Sequence, residues 1–391
     1  MVEWKKLGEV CSFFRGRSLS KKDIGEGNHQ ILLYGELYTT YGDYITHIKS
    51  KTSFEKAIVA TKLKYNDLVL PVSSTTKEAQ IGKVSVIKTK SDVYLGSDAI
   101  LLRDTFNPAY LMYYLNSTLF EKSKMECVHG TTIMHLSPTE LAQKEIPIPS
   151  LSEQSRIVSI LDTFTSSISN LKQQIEERRK QYEYERNLLL DLEGKEGVEM
   201  KKLGEVCKLE RGVRVVKKDL QKEGVLPVYQ NSLTPLGYYD KSNYPENTTF
   251  VICAGAAGEV GFSNKAFWAA DDCTCVVCPS FVHSKYIYNY LISNQRILRS
   301  QVRKASIPRL SKDVIGKLIV PLPPLSTQSR IVSILDTFEQ SISNLEEQLA
   351  MREKQYEYYR NQLLTFEGRK REERLEGEKR NLGGIGSLRQ S

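Results

Sequence analysis

No run of 18 apolar residues occurs in the 391-residue chain, and Met1-Val2-Glu3-Trp4-Lys5-Lys6 has no apolar stretch of the kind a signal peptide carries. Neither a membrane span nor secretion is expected, and the expected location is cytoplasmic. Cysteine is scarce: seven scattered residues read, in a reducing compartment, as free thiols or metal ligands rather than a disulfide framework. The chain also lacks a phosphate-binding Gly-Lys-Ser/Thr loop, paired metal-binding histidines and a convincing Ser/His/Asp set. No active site is visible. Nor does one sign of charge dominate, since 55 Lys and Arg against 47 Asp and Glu leave +8, a mild bias toward an anionic partner. What is present is length enough for two or three domains with their own cores, at 40% hydrophobic and 26% charged residues.

The chain repeats itself. Lys5-Lys6-Leu7-Gly8-Glu9-Val10-Cys11 recurs 196 residues on as Lys201-Lys202-Leu203-Gly204-Glu205-Val206-Cys207, and Gln154-Ser155-Arg156-Ile157-Val158-Ser159-Ile160-Leu161-Asp162-Thr163-Phe164 recurs unchanged 174 residues on as Gln328 to Phe338. The offsets describe two copies of one unit, each a constant frame around a variable part that is 22 residues shorter in the second copy.

Each copy ends in a long predicted helix, entered through a turn-like Pro segment that a helix excludes, Ile146-Pro147-Ile148-Pro149-Ser150 and Pro321-Leu322-Pro323-Pro324-Leu325. Ile157, Leu161, Phe164, Ile168, Leu171, Ile175, Arg178, Tyr182, Glu185 and Leu189 then alternate at spacings of 4 and 3, as do Ile331, Leu335, Phe338, Ile342, Leu345, Leu349, Arg352, Tyr356, Tyr359 and Leu363. A period of about 3.5 residues marks a coiled-coil seam. Neither stripe can bury itself, so the helices are expected to pair within the chain, antiparallel, along a ~50 Å seam.

The variable parts read as α+β domains. Short β-favouring runs (Ala57-Ile58-Val59-Ala60, Leu68-Val69-Leu70-Pro71-Val72, Thr249-Phe250-Val251-Ile252-Cys253) are broken by Gly, Asn and Pro, and a helix follows in each, at Tyr110–Leu115 and Tyr286–Leu291. Residues 154–193 and 328–367 carry 10 basic and 14 acidic side chains, and the tail from Arg369 carries 7 and 4, so about +9 remains on the variable parts and their linker. An anionic ligand is expected there. The charged, Gly-rich tail is expected to be disordered.

Several motifs have plain alternatives. Asn107-Pro108-Ala109-Tyr110 is similar to the Asn-Pro-Pro-Tyr loop of adenine-N6 methyltransferases, but its third residue differs and it opens a helix, where Asn at N-cap and Pro at N1 are ordinary punctuation. Capping is the favoured reading. Cys273-Thr274-Cys275-Val276-Val277-Cys278 with Cys253 has the look of a zinc site, yet the repeat aligns Cys273 and Cys275 with Ala99 and Leu101, so buried strand thiols are favoured. Gly255-Ala256-Ala257-Gly258-Glu259-Val260-Gly261 matches Gln80-Ile81-Gly82 in the first copy and reads as a hairpin turn.

Before each Pro segment lie His129-Gly130-Thr131-Thr132-Ile133-Met134-His135-Leu136-Ser137 and Arg303-Lys304-Ala305-Ser306-Ile307-Pro308-Arg309-Leu310-Ser311. Their donors and small hydroxyls (His129, Thr131, Thr132, His135; Arg303, Lys304, Ser306, Arg309) suit either contact with nucleic acid or a solvated loop capped at Ser137 and Ser311. Weaker DNA-contact candidates are Lys62, Lys64, Thr75, Thr76, Lys77, Arg211, Arg214, Lys265, Arg296 and Arg299.

Two variable domains alternate with two near-identical helices. Each helix is entered by a segment such as Pro149-Ser150-Leu151-Ser152-Glu153-Gln154-Ser155-Arg156-Ile157 or Pro324-Leu325-Ser326-Thr327-Gln328-Ser329-Arg330-Ile331. In these features the chain resembles the specificity subunit of a type I restriction–modification system over nearly its whole length. Thr327 departs from the usual Glu-Gln pair kept by Glu153. The resemblance implies an α+β fold of two pseudo-symmetric target-recognition domains, 1–153 and 195–327, separated by an antiparallel coiled coil of helices 154–194 and 328–368, with a tail 369–391. It implies that each domain reads half of a bipartite asymmetric site in double-stranded DNA and that the helices dock two methyltransferase subunits. A ~50 Å spacer matches about 15 base pairs. S-adenosylmethionine, ATP and Mg would then belong to partner methyltransferase and restriction/translocase chains, with no cofactor here. The alternatives are a coiled-coil scaffold for protein partners and a degenerate adenine-N6 methyltransferase acting through Asn107 to Tyr110.

Overall fold

The computed structural model describes residues 2–75, 81–104, 106–216, 218 and 220–366. Its contacts divide into two units, one of residues 1–170 with the chain from Ala350 onward, the other of Leu171–Leu349.

In the first unit a five-stranded sheet runs in the order Cys11–Arg15, Ala99–Asp104, Leu68–Pro71, Ser85–Ile87, Tyr44–Ile45. A four-stranded sheet (Lys51–Thr52, His29–Leu32, Val93–Leu95, Thr61–Lys62) accompanies it. In the second unit the matching sheet is Lys208–Arg211, Cys273–Val277, Thr248–Ile252, Val260–Ser263, beside a three-stranded one, Gly237–Tyr239, Leu226–Tyr229, Trp268–Ala269. The helices Pro108–Leu115 and Ser284–Ser293 pack on these sheets. Every residue from Ala109 to Leu115 is buried, as a helix apolar on all sides requires.

The frame of each unit closes on itself. Glu3–Lys6 pairs antiparallel with Glu145–Ile148, and Glu199–Lys202 pairs with Ile319–Leu322, so the two constant segments bordering each variable part are strand partners. The Pro segments are therefore partly strands, correcting the turn reading. Pro147 faces Trp4 and Pro321 faces Met200 in two-stranded sheets, where a missing N–H can face outward. Ala57–Ala60 is likewise no strand: Phe54–Ala57 is a helical turn, followed by exposed Ile58 and Val59.

The long helices span Leu151–Leu190 and Leu325–Leu364. In the second unit Tyr182 meets the Phe338 ring at 6.4 Å and donates to Glu339 at 2.9 Å, while Arg179 pairs with Glu346. One number falls as the other rises, so the helices are antiparallel. In the first unit Phe164 packs against Tyr356 and Tyr359 at 6.4 and 5.4 Å. The seam residues Ile157, Leu161, Phe164, Ile168, Leu171, Ile175, Tyr182 and Leu189, and Ile331, Leu335, Phe338, Ile342, Leu345, Leu349, Tyr356 and Leu363, are all buried or half-buried. Ile157, Leu161, Ile331 and Leu335 lie in the cores of the sheet domains. Two of the three charged seam positions lie over rings, Arg352 5.7 Å from the centre of Phe164 and Arg178 5.9 Å from that of Phe338. The tail 369–391 lies outside the described residues.

Candidate nucleic-acid interface

Each unit carries a short hairpin ahead of its closing strand. In the first, Val128–His129 pairs with Met134–Leu136, placing His129 opposite His135. In the second, a bridge places Arg303 opposite Arg309, with Arg303 N donating to Arg309 O at 2.8 Å and Arg309 N to Arg303 O at 3.2 Å. Both hairpins dock through one bond type: Leu136 N donates to Val72 O and Leu310 N to Cys253 O, each at 2.8 Å. Ser137 and Ser311 then cap the next helical turn, accepting from Glu140 N and Asp313 N.

At the foot of each hairpin is a cleft. The first, about 480 Å³, is lined by Arg15, Ser73, Asp98, His129 and His135 among others; the second, about 190 Å³, by Arg211, Asp271, Asp272, Arg309 and Lys312. The floors coincide: Val72 N donates to Asp98 O at 2.9 Å and Cys253 N to Asp272 O at 2.7 Å. Gly16 and Gly212 follow the two arginines where a Cβ would fall 1.9 Å from Gly96 O or 2.1 Å from Ala270 O, so only glycine fits there. The walls differ. In the first cleft Ser73 Oγ donates to Asp98 Oδ1 at 3.1 Å and sits 3.0 Å from His135 Nδ1. The serine, not the histidine, stands between the other two, which is not the order that activates a nucleophile. In the second, Arg211 Nε donates to Asp271 O at 2.7 Å.

The remaining candidates scatter. Thr131, Thr132, Lys304 and Ser306 are exposed at the hairpin tips, and Lys64, Thr75, Arg214, Lys265 and Arg296 are exposed elsewhere. Lys62 is paired with Asp92 at 2.7 Å, Arg299 lies 3.7 Å from Glu259, and His129 Nε2 lies 2.8 Å from Glu140. Thr76 and Lys77 lie outside the described residues. Arg15, Asp98, Asp271, Asp272 and Lys312 are among the cleft residues that sequence reading missed. A signal existed, because Arg15-Gly16 and Arg211-Gly212 continue the 196-residue repeat.

The motifs with two readings resolve locally. Asn107 Oδ1 accepts from Ala109 N at 3.1 Å and Tyr110 N at 3.3 Å as N-cap, and the buried Tyr110 hydroxyl donates to Pro147 O. Cys273 and Cys275 are buried in the strand Cys273–Val277, and burial pushes both thiols above their ordinary range. Gly255 and Gly258 adopt φ of +82° and +88° in the connection between Thr248–Ile252 and Val260–Ser263, a hairpin turn.

A second pair of matched surfaces lies along the long helices. Ser155, Val158, Ser159, Asp162 and Thr163 line a groove with Asn107, and Ser329, Val332, Ser333, Asp336 and Thr337 line one with His283. Ser155, Ser159, Thr163, Ser329, Ser333 and Thr337 are exposed. The aspartates are held from behind by different groups. Asp162 accepts from Tyr44 and Tyr113, both at 2.6 Å, and Asp336 pairs with Lys285 at 2.7 Å.

Together these features define a duplicated α+β binding protein built on an antiparallel helix pair. Residues 1–178 and 195–351 match the family model of the type I restriction modification DNA specificity domain, and the chain belongs to that family. It is 30% identical over 303 residues, 68% of this chain and 74% of the other, to a putative type I restriction enzyme specificity subunit from Haemophilus influenzae. It is 31% identical over 262 residues, 58% of this chain and 64% of the other, to the EcoR124I/EcoR124II specificity subunit of Escherichia coli. The fold matches the S subunit of a type I restriction–modification system from M. genitalium with TM-score 0.64 at 17% identity, over 94% of this chain and 96% of that one. The chain is thus a specificity subunit rather than an enzyme in its own right. Among the described residues no helix is long and apolar enough to cross a membrane.

Proposed function

We propose that each sheet domain reads one half of a bipartite asymmetric site in double-stranded DNA through its hairpin and cleft, and that the matched helix grooves dock two methyltransferase subunits. The observation that carries this reading is the contrast between the two matched surfaces. On the hairpins a common backbone frame bears different donors, His129 and His135 against Arg303 and Arg309, as two unlike half-sites require. On the helix grooves exposed Ser155, Ser159 and Thr163 recur as Ser329, Ser333 and Thr337, with Ser166 changed to Gln340, although no core demands the identity, as two copies of one partner require. Methyl transfer and DNA translocation then belong to partner chains, which hold S-adenosylmethionine, ATP and Mg. Such an assembly works where the chromosome is, in the cytoplasm. The paired substitutions Ser159→Glu and Ser333→Glu test the docking half. The subunit should keep its melting temperature and lose co-purification with the methyltransferase; full retention of that partner would refute this use of the grooves.

A further inference from the structure

The two hairpins share one residue that neither the core nor unlike half-sites account for. Ile133 and Ile307 occupy equivalent places at the hairpin tips and are 47% and 55% exposed. A single exposed isoleucine is unremarked on most surfaces. Here it is kept in both copies while its neighbours change, Gly130 to Lys304, Thr131 to Ala305 and Met134 to Pro308. It also stands beyond like residues placed opposite each other, His129 with His135 and Arg303 with Arg309. Two arginines facing each other across a hairpin, as Arg303 and Arg309 do, oppose its formation, and an anion beside both removes that cost.

Resting on the reading of these hairpins as DNA-facing, we infer that Ile133 and Ile307 are apolar tips that enter a DNA groove and pack on sugar faces or the base stack, while the arginine pair behind Ile307 meets phosphates. A two-stranded hairpin fits a groove, and branched apolar side chains are suited to contact inside one. Because the same side chain serves both domains, its contact carries no sequence information. The unlike residues around it do.

The test uses the full chain assembled with its methyltransferase subunits. With Ile133→Ser and Ile307→Ser together, affinity should fall about tenfold or more on target and non-target DNA alike, the burial of an isoleucine at each tip being lost. The salt dependence and the methylated sequence should stay unchanged, as should the melting temperature, and Ile→Leu at both positions should restore binding. Arg303→Ala should instead reduce the salt slope by about one ion. Wild-type affinity in the double serine variant would overturn the tip contact, as would a change at one base of the methylated sequence. Loss of the methyltransferase with DNA binding by the subunit retained would also overturn it, by making the tip a protein contact. A wild-type complex without any target preference would instead contradict the reading on which this contact rests.

Discussion

Gln154 and Gln328 are buried at the entry to the long helices, and each side-chain amide donates to a proline carbonyl five residues back, Pro149 O and Pro323 O, both at 2.9 Å. Proline supplies no N–H to this junction, so the glutamine amide ties the closing strand to the first helical turn. Gln328→Ala should lower stability by about 1–3 kcal/mol, because a buried acceptor loses its donor; a melting curve matching wild type would show that water replaces the bond. Asn107 works in the same way at the head of Pro108–Leu115. Asn107→Ala should cost about 1 kcal/mol as a lost cap and leave methylation by the assembled complex intact, whereas a folded, DNA-binding variant unable to support methylation would return this loop to catalysis. Lys285 adds a pH dependence. Burial depresses its pKa, but the partners Asp336 and Glu339, each at 2.7 Å, outweigh burial and hold it above the ordinary ammonium value. A raised folded-state pKa stabilises below the unfolded value of about 10.5 and ceases to do so as pH rises through the folded one. Wild-type stability should thus fall more steeply than that of Lys285→Met in alkaline titrations followed by circular dichroism.

At the scale of the element, the long helices bury their stripe in two ways. The first turns sink into the sheet-domain cores, where the last turns join them, Leu364 with Ile157 and Leu190 with Ile331, and the middle turns are left to meet the opposite helix. Ile175, 6% exposed in the middle of the stripe, belongs to the helix-pairing part, and Ile175→Asp should destabilise by about 3 kcal/mol or more. Unchanged thermal unfolding would remove this residue from the pairing. Elements that obey a local rule were legible in the sequence: a period of 4 and 3 gave the helices, and the Asn-Pro pair gave the cap. Elements defined by a distant partner were not. Pro147 becomes strand because Trp4 lies across from it, more than 140 residues away, and the clefts form only when Arg15 or Arg211 is brought beside a hairpin that follows far along the chain. The basic residues illustrate the same limit. Composition placed positive charge on the variable parts, but an ion pair such as Lys62 with Asp92 is invisible until the fold sets their distance.

Across the whole molecule, duplication is the organising fact. Each unit has its own closing sheet, core, hairpin and cleft, so the recognition surface of one does not depend on side chains of the other. Replacing residues 201–320 with the matching region of a related specificity subunit, then mapping the methylated bases of DNA modified by the reconstituted complex, tests this most directly. The account predicts that one half of the recognised sequence changes while the other half and the spacing persist. A change in both halves, or none in either, would contradict it.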